Sequence, residues 1–321
     1  MKFGLTLPNR GVLFEAITPD QMLRMGEFAE ASGRFEYLWV GDSFLAKPRM
    51  ESITLMAGLA ARTRRLRIGP ACMASFPLRD PLLLAYQWAS LDLLSNGRTI
   101  LIACTGIVPQ AGGAVEDAQY GVDNKGRAER LVEWITLLTR LWTEENVTFE
   151  GRHYQVRNVT VEPRPAARPR PPIWIANNSL ASRAVVERTH RRVAQHADGW
   201  MTALSDPDEV SWRLQDVRIK VREFGRNPDE FPTCLYHNIN VNEDRDAALA
   251  ESKRFLDTYY TTDTPLDRVA NWTAVGSPEE CAEHLRVYER IGMGGVGLRC
   301  TSWDQMGQLR RVVDEVLPRL Q

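Results

Sequence analysis

Among the side chains of this sequence that can do chemistry, the most informative group is spaced to grip an anion. Ile173-Trp174-Ile175-Ala176-Asn177-Asn178-Ser179 is a β-rich run that breaks at two asparagines and a serine, just before a helical segment. Unpaired backbone N–H groups at a helix start, with a hydroxyl beside them, attract phosphate because the helix dipole is positive there. Ser179 could equally cap its own helix. Arg127 opens the helix after Gly121-Val122-Asp123-Asn124-Lys125-Gly126, either as a phosphate clamp or as a solvated first-turn cation.

Other candidates are weaker. Gly292-Met293-Gly294-Gly295-Val296-Gly297 fits G-x-G-x-x-G, but it follows a helix and precedes a strand, the reverse of the dinucleotide fingerprint. It reads as a helix stop. His190 and His196 lie six apart and cannot share a helical face, so they read as surface or satisfied residues. Cys72, Cys104, Cys234, Cys281 and Cys300 are odd in number and never form C-x-x-C, which fits free thiols better than disulfides or a structural zinc.

The elements that must position these residues alternate in period. Strand-like runs recur at Lys2-Leu7, Phe35-Val40, Leu66-Met73, Thr99-Cys104, Ile173-Ala176, Gly199-Ala203, Thr233-Val241 and Gly295-Cys300. Between them lie amphipathic helical segments such as Leu131, Trp134, Ile135, Leu138, Leu141 and Trp142, whose apolar stripe is core. Thr18-Pro19-Asp20-Gln21 and Ser277-Pro278-Glu279-Glu280 have the form of capped helix starts, as does Asp206-Pro207. Strand and helix alternating eight times predict an α/β fold, a single (β/α)8 TIM barrel, with a doubly wound open sheet as the rival. We expect one domain over 1–321, with insertions at about 107–125, 146–172 and 258–277. The middle one contains a hairpin around Phe149-Tyr154 and Val156-Val161, then a stiff proline-rich connector through Pro172. The last, Thr258 to Ser277, reads as polar and irregular, and with Val108-Gly121 it is a candidate lid.

Barrels of this kind react at the C-terminal ends of their strands. The residues expected there are Asp42-Ser43, Ala71-Cys72-Met73-Ala74, Cys104-Thr105-Gly106, Asn177-Asn178-Ser179, Trp200-Met201-Thr202, Asn240 and Cys300. No cluster of histidines and carboxylates appears, so a metal hydrolase or a glycosidase acid pair is poorly supported. No metal is expected, and a bound cofactor is expected to supply the reactivity. Phe44, Phe76, Trp200 and Tyr236 near strand ends suggest a partly apolar or planar substrate.

Composition agrees with a small-molecule partner. The 321 residues carry Lys+Arg 40 against Asp+Glu 41, a net charge of -1, too balanced for a chain devoted to nucleic acid or an anionic membrane. The longest uncharged stretch, Thr99 to Val115, contains Pro109, Gly112 and Gly113 and does not read as a membrane span. The N-terminus lacks the apolar core of a secretory signal, so the expected location is cytoplasmic.

Trp39-Val40-Gly41-Asp42, Ala60-Ala61-Arg62-Thr63 running into Leu66-Arg67-Ile68-Gly69, Arg79-Asp80-Pro81, Ser90-Leu91-Asp92-Leu93-Leu94-Ser95-Asn96-Gly97-Arg98, Phe149-Glu150-Gly151, Pro171-Pro172-Ile173-Trp174-Ile175-Ala176 and Val275-Gly276-Ser277-Pro278-Glu279-Glu280 follow one another in an ordered series. In that order the chain resembles the bacterial luciferase-like family of flavin-dependent monooxygenases and deazaflavin oxidoreductases. The resemblance implies a barrel that binds reduced FMN, or a reduced 5-deazaflavin coenzyme, with its phosphate at the turn after the fifth strand. By matching, Ala176, Asn178, Ser179 and Ser182 fall on that turn and Arg127 on the family's phosphate-binding arginine. Ala71-Cys72 falls where relatives hold a non-proline cis peptide under the flavin ring, and Thr105 joins the coenzyme-binding positions. Cys104 matches a cysteine near the reactive edge of the flavin. Asp42 and Ser43 occupy a segment where many relatives have a histidine, and Ser43 cannot serve as a general base. The resemblance further implies a flavin-dependent monooxygenase that oxidises a small organic substrate with O2, a separate flavin reductase as partner, and a homodimer. Hydride transfer from the deazaflavin without oxygen is the alternative, and a catalytically silent flavin-binding barrel is a third reading.

Overall fold

The computed structural model describes residues 1–107, 112–122 and 126–320. Its strands in chain order are β1 (Lys2–Leu7), β2 (Tyr37–Asp42), β3 (Arg67–Met73), β4 (Leu101–Ala103), the pair β5 (Val147–Glu150) and β6 (Gln155–Val159), then β7 (Ile173–Ala176), β8 (Gly199–Thr202), β9 (Thr233–Val241), β10 (Thr273–Gly276) and β11 (Gly295–Cys300). The helices are α1 (Pro19–Ser32), α2 (Ser52–Arg62), α3 (Pro81–Ser95), α4 (Ala114–Tyr120), α5 (Arg127–Thr143), α6 (Arg183–His196), α7 (Pro207–Glu223), α8 (Arg245–Tyr260), α9 (Leu266–Trp272), α10 (Pro278–Ile291) and α11 (Gln305–Arg311).

β1, β2, β3, β4, β7, β8, β9 and β11 pair in parallel in that order, and β11 returns to β1. This is a closed (β/α)8 barrel. Alternation along each strand makes two layers. Inward side chains, among them Tyr37, Trp39, Ile102, Trp174, Met201 and Cys234, fill the barrel. Outward ones such as Leu38, Val40, Ile175 and Trp200 pack under the helices. Trp39 fits because a facing strand carries glycine: a Cβ at Gly297 would stand 2.8 Å from the Trp39 ring.

The helix starts follow their local chemistry. Thr18 accepts from the Gln21 amide while the Gln21 side chain accepts from the Thr18 amide, and Ser277 with Glu280 repeats the arrangement. Asp206 caps α7 alone, and Gly292, at φ 92, stops α10 in a left-handed turn.

The segment from Thr258 to Ser277 corrects the sequence reading. In place of an irregular lid it holds the end of α8, all of α9 and the strand β10. β9 is long enough to pair twice on one edge, with β8 through Thr233–Leu235 and with β10 through Asn238–Val241. Backbone groups at the far end of β9 thus find partners in Thr273–Gly276, all four of which are buried. Of the other lid candidate, residues 108–111 lie outside the described residues, as do 123–125. Among the described residues no helix is long and apolar enough to cross a membrane.

Candidate active site

β2 delivers Asp42 and Ser43 to the C-terminal end of the barrel, but as braces. Asp42 is buried and accepts from the Ser52 hydroxyl at 2.6 Å, the Ser75 amide at 2.7 Å and the Arg79 guanidinium at 3.2 Å. Ser43 Oγ accepts from the Lys47 amide at 3.0 Å and donates to Glu116 at 3.4 Å. Glu116 is itself buried, with the Phe44 and Ala46 amides each donating to it at 3.0 Å. These bonds pin the loop after β2. The sequence reading missed Glu116, which lies on a short helix among other polar residues and has no motif to mark it.

Beside this loop, β3 departs from regular pairing. Val40 pairs with Pro70 and Gly41 with Cys72, so Ala71 is the extra residue of a bulge. The expected non-proline cis peptide is absent: the cis bonds among the described residues are Glu162–Pro163 and Arg168–Pro169, and Ala71–Cys72 is trans. A bulge re-aims the chain without the 3–4 kcal/mol or so that a non-proline cis bond costs. Cys72 and Cys104 nevertheless meet, Sγ to Sγ at 2.7 Å, both as free cysteines. The bond to Cys104, with burial, holds the Cys72 thiol well above its ordinary pKa.

At the turn after β7, Ala176 is buried in the inner cluster, while Asn178 and Ser182 are exposed and Ser179 is half-buried. The Ser179 amide donates to Asn177 Oδ1 at 3.0 Å, and its hydroxyl accepts from the Ala181 amide at 3.2 Å. Asn178 Oδ1 accepts from Thr202 and from the Ala203 amide, tying the turn to β8. Ser179 does not cap the helix: α6 starts after Ser182, whose side chain makes no capping bond. The first N–H groups of α6 therefore lack a side-chain acceptor. Asn177 Nδ2 is buried without a partner.

Arg127 is buried at the start of α5, donating to the Thr105 carbonyl at 2.8 Å and pairing with Asp117, while its Nε has no partner. Among the described residues no hydrogen bond or ion pair joins it to the turn after β7. A flavin-type coenzyme fits these residues on physical grounds, because Asn177 Nδ2 and Arg127 Nε are orphaned buried donors and the start of α6 is uncapped.

Opposite the β7 turn lies a group the sequence reading did not single out. Arg299 on β11 is fully buried, donates twice to Asn238 Oδ1 at 3.1 and 2.8 Å and once to the Tyr260 hydroxyl at 3.0 Å, and has no carboxylate partner among the described residues. Tyr259, Tyr260, Tyr236 and Trp272 surround it, the nearest ring centroid 4.3 Å from its Cζ. Burial raises the Tyr260 phenol, but the Arg299 charge and a bond from Tyr236 outweigh it and leave Tyr260 below its ordinary pKa. Of the aromatic residues expected at the strand ends, Tyr236 belongs to this group. Phe76 is buried against Trp134, and Trp200 faces outward against His190, because β8 turns Met201 inward instead.

Four of the five histidines lie elsewhere, His190 bonded to Asp216 at 2.7 Å, His237 facing His284 of α10, and His196 ending α6, while His153 packs against Gly126, next to Arg127. Among the described residues no group of three or more His, Cys, Asp or Glu is placed to hold a metal. The fold and the strand ends define a (β/α)8 barrel with an uncapped helix start and a buried unpaired amide at the turn after β7. Residues 1–294 match the luciferase-like monooxygenase family, and the chain belongs to it. It is 25% identical to an F420-dependent glucose-6-phosphate dehydrogenase of Microbacterium testaceum (strain StLB037), over 95% of each chain. It is 28% identical to an FMNH(2)-dependent dimethylsulfone monooxygenase of Pseudomonas putida, over 78% of this chain and 69% of that one. The crystal structure of the monooxygenase RslO1 from Streptomyces bottropensis shares the fold at a TM-score of 0.81, 24% identity and full coverage of both chains.

Proposed function

We propose that this chain is an oxidoreductase that uses reduced FMN and O2 to oxygenate a small organic substrate, the flavin arriving reduced from a separate reductase. The observation that carries this reading is the bonding of the carboxylates around the end of β2 and on α4. Asp42, Glu116 and Asp117 are spent on backbone amides, hydroxyls and arginines, and among the described residues no imidazole is bonded to them. Removing hydride from an alcohol requires a base for the hydroxyl proton. Oxygenation makes a smaller demand on the protein: position the reactants, donate hydrogen bonds and exclude water.

The coenzyme supplies the redox chemistry when bound. Asn177, Asn178, Ser179, Ser182 and the first amides of α6 would take its phosphate, and Arg127 would close over the mouth from the Thr105 side. Ala71, Cys72, Cys104 and Thr105 would form the wall beneath its ring. Tyr260 Oη, which accepts from Arg299 at 3.0 Å, would donate a hydrogen bond to what is bound.

A second reading, hydride transfer with a reduced deazaflavin, is favoured by the F420-dependent relative that aligns over 95% of this chain. Anaerobic fluorescence titration with reduced FMN and with reduced F420 separates the two. We expect saturable binding of reduced FMN, weakened by Ser179→Ala with Arg127→Gln. Tight binding of F420 alone, with substrate oxidised or reduced in the absence of oxygen, overturns the monooxygenase reading.

A further inference from the structure

The strand order places β11, β1 and β2 across the mouth from β7, so the side away from the proposed phosphate turn is built by these strands and the loops after them. Four cations gather there: Arg10 after β1, Lys47 and Arg49 after β2, and Arg299 on β11. They are bound into one group. Arg49 Cζ lies 5.6 Å from the Tyr259 ring centroid and Arg299 Cζ 4.3 Å from the same centroid. Arg49 Nε donates to the Lys47 carbonyl at 3.0 Å, Lys47 Nζ donates to the Tyr260 carbonyl, and Arg10 Nη1 donates to the Pro48 carbonyl at 2.6 Å.

Among the described residues none of the four has a carboxylate at ion-pair distance. Those nearby are committed, Asp42 and Glu51 to Arg79 and Glu116 to backbone amides. Burial and then the Arg49 charge hold Arg10 below its ordinary pKa, and burial, Arg10 and Arg49 do the same to Lys47. In a chain of net charge -1, the four make a local excess of positive charge.

Donors are left over as well. Arg10 Nε is buried without a partner, on a side chain only 7% exposed. The two terminal nitrogens of Arg49 make no hydrogen bond among the described residues, and one of them lies against Gly41, where a Cβ would collide with it. Gly41 pairs with Cys72, which puts this free fork at the level of the β3 bulge. A planar fork with two free N–H edges matches a carboxylate in two parallel bonds. The neighbouring Tyr236, Tyr260 and Trp272 rings suit a flat organic body better than a strongly hydrated inorganic anion.

We propose that this cluster anchors the substrate and that the substrate is an organic carboxylate, held by the Arg49 fork with Arg10, Lys47 and Arg299 around it and its body directed toward Cys72 and Cys104. The proposal rests on the function above, whose substrate class it names, but it is tested separately, on the coenzyme-free full chain. Intrinsic tryptophan fluorescence is followed during titration with benzoate, with its neutral counterpart benzamide, and with inorganic phosphate. We expect saturable benzoate binding, benzamide at least about tenfold weaker, and a loss of about tenfold or more in Arg49→Gln that Arg49→Lys partly restores, in line with a charge-assisted bond. Lys47→Gln is the second variant should Arg49→Gln lose its circular dichroism spectrum, and it should weaken benzoate in the same direction. Equal binding of benzoate and benzamide, or benzoate affinity unchanged in these variants, overturns the proposal. So does phosphate binding more tightly than benzoate at the same residues, which would assign the cations to an anionic coenzyme tail. With no coenzyme present, failure of the FMN titration leaves this result standing, and the reverse also holds.

Discussion

Cys72 and Cys104 stand side by side at the ends of β3 and β4, and their closeness governs their reactivity. The thiolate is the nucleophile, so a thiol whose pKa is raised by a neighbour's hydrogen bond and by burial is slow. Cys72 is therefore expected to react with iodoacetamide near pH 8 more slowly than an ordinary exposed cysteine. Cys104→Ala should speed it by removing the larger cause of the shift, and an unchanged rate in that variant would refute the assignment. At this scale the sequence was informative where position alone carries meaning: Cys104 and Asn178 reach the reactive end because they terminate strands. It was silent on Arg299. A cation in a strand ordinarily faces solvent, and only the parity it shares with inward Gly297, together with aromatic residues from β9 and α8, turns it into the barrel. Asp42 and Ser43 were located correctly, yet their partners Ser75, Arg79 and Glu116 come from distant segments that one sequence cannot bring together.

Between β9 and α10, His237 and His284 face each other, Nε2 to Nε2 at 2.9 Å, so one donates and the other accepts and both are neutral. Burial holds His237 well below its ordinary pKa, and burial with the Arg245 charge brings His284 down to about 4. In the unfolded chain each titrates near about 6.5. Above that pH neither state carries the proton and the contact costs nothing. As pH falls from about 6.5 toward 4, the unfolded state binds protons that the folded state refuses, and stability declines. Urea unfolding midpoints should therefore be flat above pH 7 and drop between pH 6.5 and 5. His284→Leu should flatten that drop; an equally steep fall in the variant would place its cause elsewhere. Most elements were legible because their signals are local: the capping boxes of α1 and α10, and the apolar runs of β1, β7, β9 and β11. β10 was not, since a four-residue run after a polar stretch acquires its pairing only from β9, some thirty residues earlier in the chain.

Taken whole, the molecule has one surface that does not match its surroundings. α3 buries Leu84, Ala85, Trp88 and Leu91 against the barrel, yet its outer side exposes Leu83 at 57%, Tyr86 at 41% and Leu94 at 53%. A helix apolar on every side is ordinarily covered on every side, and contiguous exposed apolar surface marks an interface. Ile53 and Ala57 of α2 line the adjoining groove. We propose that a second copy of this chain covers this face, as the homodimer expected from the family resemblance would. Sedimentation should give twice the 36.4 kDa chain mass, with Leu83→Glu and Leu94→Glu together yielding a folded monomer. A wild-type chain that sediments as a monomer at micromolar concentration rejects the pairing.

The bulge in β3 has a bearing on the whole hoop of strands. Ala71 has no counterpart in β2, and among the described residues β3 pairs with β4 at Met73 and, lower down, with Thr99 just before β4 through Ile68. The staves are thus left unlaced for a short stretch directly under the reactive chamber. In that notch the Cys72 carbonyl turns back to accept from the Ala74 amide at 3.0 Å instead of lacing to a neighbouring stave, while the rest of the hoop stays fastened.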